Sequence, residues 1–267
     1  MKTRILLVLT FILALSFTGC LRIGLINGDG NVVTKTFEIG DFDVLAVSGS
    51  DILIDYQQSD ESAGLVVTVD QNILDIYTFE VVDGKLRIKP EKKYERFFKI
   101  NPTKFTITTH SKSIKKFSLA GDSKLTINSP LIGDKLDINI AGSGEISMPV
   151  RVEMNEVETD IAGSGKVNIA EVATSSFDGD IAGSGVLILG GVSDKVKLSI
   201  AGSGKVNAFE LQAKDLACSI AGSGDVEMSI SNEIDVDIAG SGKIIYKGDP
   251  TSIKKKIAGS GTIKKAE

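Results

Sequence analysis

The tetrapeptide AGSG occurs seven times, beginning at Ala141, Ala162, Ala182, Ala201, Ala221, Ala239 and Ala258, and each copy follows an isoleucine. Successive copies start 18 to 21 residues apart. A period of that length restricts the chain to a repeat architecture, because one short unit cannot bury an apolar face alone and stacked units can. The flanks name the element. Apolar residues alternate with polar ones before the corner (Leu136, Ile138, Ile140; Val196, Leu198, Ile200; Ile234, Val236, Ile238) and after it (Ile146, Met148; Leu187, Leu189; Val226, Met228). A period of two marks a strand with one buried face. No convincing helical period occurs from residue 32 onward. Each unit therefore reads as strand, AGSG corner, strand and variable connector. Stacked in parallel with rungs ~4.8 Å apart, seven such coils form a rod ~30 Å long. The expected fold is an all-β parallel β-helix, or solenoid, with 18 to 21 residues per coil over residues 116–264 and a less regular β-rich portion over 32–115.

The corner composition follows from the bend. Glycine reaches positive φ without penalty, and Ala and Ser are small enough to stack over their own copies. The preceding isoleucines form an inward ladder. A rival reading is a binding site, since amides in glycine turns can form anion nests. Weaker corners are LAGDS at Leu119–Ser123 and VSGSD at Val47–Asp51. Cys218 occupies an inward slot and reads as a small buried hydrophobe. In the last coil, IKKKIAGSGTIKKAE, Lys255 falls in an inward slot with Lys254, Lys256, Lys264 and Lys265 around it. Inward charges on an edge strand prevent edge-to-edge polymerisation, so these lysines read as an end cap. The alternative is a basic patch for anionic lipid.

The N-terminus is addressed elsewhere than to the fold. Lys2 and Arg4 precede a 13-residue apolar run, Ile5 to Phe17, then Thr18-Gly19-Cys20. This is a secretory signal over residues 1–19, too short to span a bilayer as a helix. A cysteine directly after the small residue resembles the bacterial lipoprotein signal, which implies lipidation of Cys20 and a membrane anchor. Ordinary signal cleavage is the alternative. The expected location is the cell envelope, at the outer membrane. Residues 20–31 read as a flexible tether, with LINGDGN in its later part. A lipidated Cys20 leaves Cys218 without a partner, so no disulfide framework is expected. The net charge is −5, with no basic excess, which argues against nucleic acid as a partner.

In residues 32–115 the expected strands are Val44–Val47, Ile52–Tyr56, Leu65–Val69, Leu86–Lys89 and Phe105–Thr109, with turns at Asp83-Gly84 and Asn101-Pro102. The aromatic stretch YERFFK, Tyr94 to Lys99, reads as a loop packed on the rod, with a surface contact as the alternative.

The stretches VLAVSGSDILIDY, DQNILDIYTFEVVDGKLRIKP, KFTITTHSKSIKKFSLAGDSKLTI and the serial IAGSG corners resemble the bacterial "putative auto-transporter adhesin, head GIN domain" family over roughly residues 37–262. The resemblance implies a secreted or surface lipoprotein with a β-helix-like fold. It brings no catalytic residues. Asp122 and Ser123 depart from the Ser-Gly of the other corners.

Parallel β-helices also carry polysaccharide lyases and hydrolases, so carboxylate clusters matter. Glu158, Asp160, Asp178 and Asp180 fall on two neighbouring rungs and form an acidic patch. Such a patch suits Ca²⁺ or paired acid–base chemistry, or is a solvated acidic face. The chain has no Trp for sugar stacking, and its one histidine, His110, reads as a solvated residue at a strand end. No cofactor, metal or catalytic residue is expected. The expected function is display of a rigid β-helical surface to a protein or polysaccharide ligand, with oligomeric state open. Alternatives are a polysaccharide-active enzyme and a periplasmic partner in stress sensing or envelope assembly.

Overall fold

The computed structural model describes residues 24–94 and 98–267. The segment read above as a signal, Cys20 and the middle of YERFFK (Glu95–Phe97) lie outside the described residues.

The chain is a parallel β-solenoid. Leu131–Gly142, Glu145–Gly163, Lys166–Gly183, Val186–Gly202, Lys205–Gly222 and Asp225–Gly240 are long strand paths, each paired in parallel with the next. Register is set at the corner: Ile140 pairs with Ile161, Ile161 with Ile181, and the ladder continues through Ile200, Ile220 and Ile238. These six isoleucines are 0 to 3% exposed. Burying one is worth about 1.5–3 kcal/mol, so the ladder is the axis of the core. Unequal coil lengths are absorbed away from the corner. Register shifts fall between Met148 and Arg151, Ile169 and Val172, and Ile188 and Gly190.

The corner is a column of left-handed glycines. Gly121, Gly142, Gly163, Gly183, Gly202, Gly222, Gly240 and Gly259 have φ between 118° and 134°. The following amide continues the ladder: Ser143 N–H donates to Gly121 O at 2.9 Å and Ser164 N–H to Gly142 O at 2.8 Å. With those serine amides spent on the rung before, the corner reading prevails over the anion nest.

VSGSD and LAGDS are true corners, although 57 residues intervene between the strands that follow and precede them. Val44–Gly49 pairs in parallel with Lys116–Gly121, and Leu53–Gln58 with Lys124–Ile127. The first rung carries one extra residue, taken up at Asp51 with φ 58°. At the second, the departure from glycine has a use: Ser123, 1% exposed, donates its hydroxyl to Gly49 O at 3.1 Å.

The intervening segment closes the solenoid. Lys85–Pro90 and Phe105–Ser111 add in parallel beyond the first rung. Antiparallel strands then end the stack: Tyr77–Val82 on Lys85–Pro90, and Gly64–Asp70 followed by Val32–Glu38 on Phe105–Ser111. The hairpin at Asp83-Gly84 has φ of 52° and 70°, the two left-handed residues of a type I′ turn. All five strands expected in this half are present. A boundary at residue 115 does not divide the core, which is one cluster from Phe42 to Ile244.

Three expectations change. Gly24–Asn31 is not a free tether: Gly24–Asn27 pairs in parallel with Phe98–Asn101. The arm is then clasped by Asp70, fully buried, whose carboxylate accepts from Gly30 N–H at 3.0 Å and Thr103 N–H at 2.8 Å. Asn72 adds two bonds, its Nδ2 donating to Asn27 O and its Oδ1 accepting from Asp29 N–H. Short polar residues that read as linker in one dimension are hydrogen-bond partners in three. A one-turn helix, Gln71–Leu74, sits where no helical period exists, because four residues are too few to show one. His110 lies within Phe105–Ser111, half-buried, its Nε2 2.8 Å from Ser62 O.

Candidate functional site

The four carboxylates of the acidic patch stand on outward columns of neighbouring rungs, Glu158 beside Asp178 and Asp160 beside Asp180. The columns continue in both directions. One runs Lys116, Asp137, Glu158, Asp178, Lys197, and the next Ser118, Asn139, Asp160, Asp180, Ser199, Ser219, Asp237. The strand pleat places all of these on the outer face.

Lysines divide the patch. Lys135 Nζ lies 2.8 Å from Glu156 Oε1, 2.8 Å from Glu158 Oε2 and 3.5 Å from Asp137 Oδ1. Its hydrogen bond holds the Glu158 carboxyl below its ordinary range, against the opposing effect of burial. Asp160 is shifted the other way. Burial raises its pKa first, and the charges of Glu158 and Asp180 raise it further. Asn139, oriented to satisfy both neighbours, turns its amide nitrogen to Asp160 Oδ2 at 3.2 Å and its oxygen to Lys116 Nζ at 2.7 Å. Asp178 faces a separate depression of about 490 Å³ shared with Lys195, Lys197 and Asp215.

Asp160 and Asp180 instead edge a groove of about 590 Å³ that crosses five rungs. Its rim continues as Ser199, Ser219 and Asp237. Its floor includes Ala162, Ala182, Ala201, Ala221 and Ala239, the first letters of five of the seven AGSG corners. From the sequence, those alanines serve stacking alone. Their outward direction was legible from the alternation, since alanine follows the inward isoleucine. Their role as a continuous floor depends on the rungs being in register. Among the described residues no three His, Cys, Asp or Glu side chains are grouped to hold a metal ion. No helix among them is long and apolar enough to cross a membrane.

Cys218 is buried at 3% exposure in the column between Leu198 and Val236. Burial pushes its thiol up to about 12, which removes it from nucleophilic chemistry at neutral pH.

The chain is similar to solved structures along its length. A "putative lipid binding protein" from Parabacteroides distasonis is 34% identical, with a TM-score of 0.86 over 91% of this chain and 100% of that one. A "putative adhesin" from Parabacteroides merdae is 28% identical at TM-score 0.81, and another from Parabacteroides distasonis is 28% identical at 0.83, with the same shares covered. No curated protein matches the chain. The model of the "putative auto-transporter adhesin, head GIN domain" family matches residues 41–170 and 150–250, and the chain belongs to that family.

Proposed function

We propose that this is a lipid-anchored protein of the cell envelope whose solenoid is a binding module. Its ligand-binding face is the alanine-floored groove edged by Asp160, Asp180, Ser199, Ser219 and Asp237. The observation that carries the reading is the groove's continuity over five rungs, which suits an extended chain lying along the solenoid axis. Hydroxyl and carboxylate groups repeat along its rim at the rung spacing of ~4.8 Å, and the exposed apolar floor supplies contact area. Membership of an adhesin family and neighbours named as adhesins support binding rather than turnover. The anchor rests on the Thr18-Gly19-Cys20 signal, with the outer membrane as the proposed location.

The test is a binding screen of the purified chain against polysaccharides, extended peptides and acyl lipids. The last class answers to the name of the Parabacteroides distasonis neighbour. Ala201→Leu fills the groove floor while leaving the interior untouched, and abolishes binding of a groove ligand. Unaltered binding by that variant refutes the groove. The enzyme reading draws on the raised Asp160 beside Asp180. It is identified by turnover of a polysaccharide that Asp160→Asn with Asp180→Asn removes while the melting temperature is kept. Cys20→Ala releases the protein from membranes, and continued fractionation with the envelope refutes the anchor. A scaffold role in envelope assembly would appear as a stoichiometric protein partner on pull-down.

A further inference from the structure

The two ends of the solenoid are unlike. The N-terminal end is closed by antiparallel strands, whereas the last rung, Ser252–Gly259 with Thr262–Lys265, carries no further strand among the described residues. Among the described residues Ser252–Gly259 pairs only with Asp225–Gly240, and Thr262–Lys265 only with Lys243–Lys247. The outer edges of both strands leave backbone donors and acceptors unpaired, a template for another strand. The core is also open there. Ile253 and Ile257 are 41% and 36% exposed, while Ile234 and Ile238 directly beneath them are both 0% exposed.

The charges on this edge are selective. Lys254 and Lys256 pair back onto Glu233 and Asp237 of the preceding rung. Lys255 and Lys264 have no acidic partner among the described residues. A second copy docking edge to edge by a twofold axis would set this lysine run against itself, and like charges facing across strands are destabilising. An acidic strand meets the opposite situation, and the structure already contains one such pairing. EIDVDIAG, Glu233 to Gly240, lies in parallel on SIKKKIAG, Ser252 to Gly259, with Ile234 on Ile253, Ile238 on Ile257, and acids on Lys254 and Lys256. The far edge of SIKKKIAG presents the same two faces, Ile253, Lys255 and Ile257 on one and Lys254 and Lys256 on the other, with no strand upon it among the described residues.

We propose that the edge formed by Ser252–Gly259 and Thr262–Lys265 is the docking site for an extended acidic polypeptide segment of a partner, added as one more parallel strand. Main-chain hydrogen bonds supply the template and side chains the selectivity. Apolar residues of the partner cover Ile253 and Ile257, its carboxylates face the outer sides of Lys254 and Lys256, and the uncompensated charges of Lys255 and Lys264 add attraction at longer range. The same lysines that reject a second copy select the acidic partner. The site is independent of the groove and stands if the groove reading fails.

The probe is a labelled, end-blocked peptide of sequence EIDVDIAG titrated into the full chain in detergent and followed by fluorescence anisotropy. Saturable binding is expected, with slowed amide exchange over residues 252–265. Lys255→Glu with Lys264→Glu, which breaks no existing ion pair, is expected to weaken it by about tenfold. A peptide with lysines in place of the three acids is expected not to bind. The proposal is overturned by no saturation with the acidic peptide, by affinity unchanged on charge reversal, or by protection confined to residues outside 252–265. Self-association of the wild-type chain through this edge, or displacement of the peptide by phosphatidylglycerol micelles but not by acidic peptide, overturns it in favour of a second copy or a membrane surface.

Discussion

Gly142 lies so close over Gly121 that a Cβ on it would stand 2.5 Å from the Gly121 carbonyl oxygen, and its φ of 124° is one that L side chains rarely adopt. Strain and clash coincide, and the clashing atom is backbone that cannot swing aside. Gly142→Ala is therefore expected to cost at least about 2 kcal/mol, read as a fall in the denaturant midpoint. The fourth corner position obeys a different rule. A Cβ at Gly165 would meet Ile140 Cγ2 at 2.5 Å, but here the nearest atom is side chain rather than backbone and no left-handed φ adds strain to the clash. Gly165→Ala is expected to be milder than Gly142→Ala, and the reverse order would contradict the stacking account.

Thr159 is the polar flaw in the dry interior. It stands between Ile138 and Gly179 in an inward column, 1% exposed, and its hydroxyl has no hydrogen-bond partner. Thr159→Val keeps the shape and deletes the unsatisfied group. It is expected to stabilise by about 1 kcal/mol, measured as a rise in melting temperature. A lower melting temperature would show that the hydroxyl finds a partner.

Asp70 joins the N-terminal arm to the cap. Burial alone would raise its pKa, but hydrogen bonds from Thr103, Gly30 and Lys104 outweigh that and hold it below the ordinary 3.8. The sign follows from linkage. The stabilisation is present above pH 3.8 and is lost as pH falls through the lower folded value. Asp70→Ala leaves buried amides unpaired and is expected to cost about 2–3 kcal/mol. It should speed amide exchange at Gly28 and Gly30 ahead of global unfolding. Exchange unchanged at those two amides would mean the clasp does not hold the arm.

Cys218 reads out core integrity. Its thiol is raised by burial from 9.0 to about 12, so at pH 8 a thiol reagent should label the native chain only at its unfolding rate. The raised value also means that this contribution to stability is intact below pH 9 and declines above it, as the unfolded thiol ionises and the folded one does not. Rapid labelling of native protein would place Cys218 outside the dry column.

The stacked windings were written into the chain because each of their causes is local. A period of two needs only neighbouring residues, and a left-handed corner needs only its glycine. Once the corners are superposed, the pairing of Glu158 with Asp178 and of Asp160 with Asp180 follows from counting back from AGSG. What the folded molecule alone settled depends on contacts between distant segments. The pairing of Val44–Gly49 with Lys116–Gly121 across an inserted cap and the clasp of Asp70 on Gly30 each join residues whose proximity no local pattern encodes. The groove is of the same kind. Five separate alanines become one floor only when parallel register brings them together, and register is a property of the whole stack rather than of any rung.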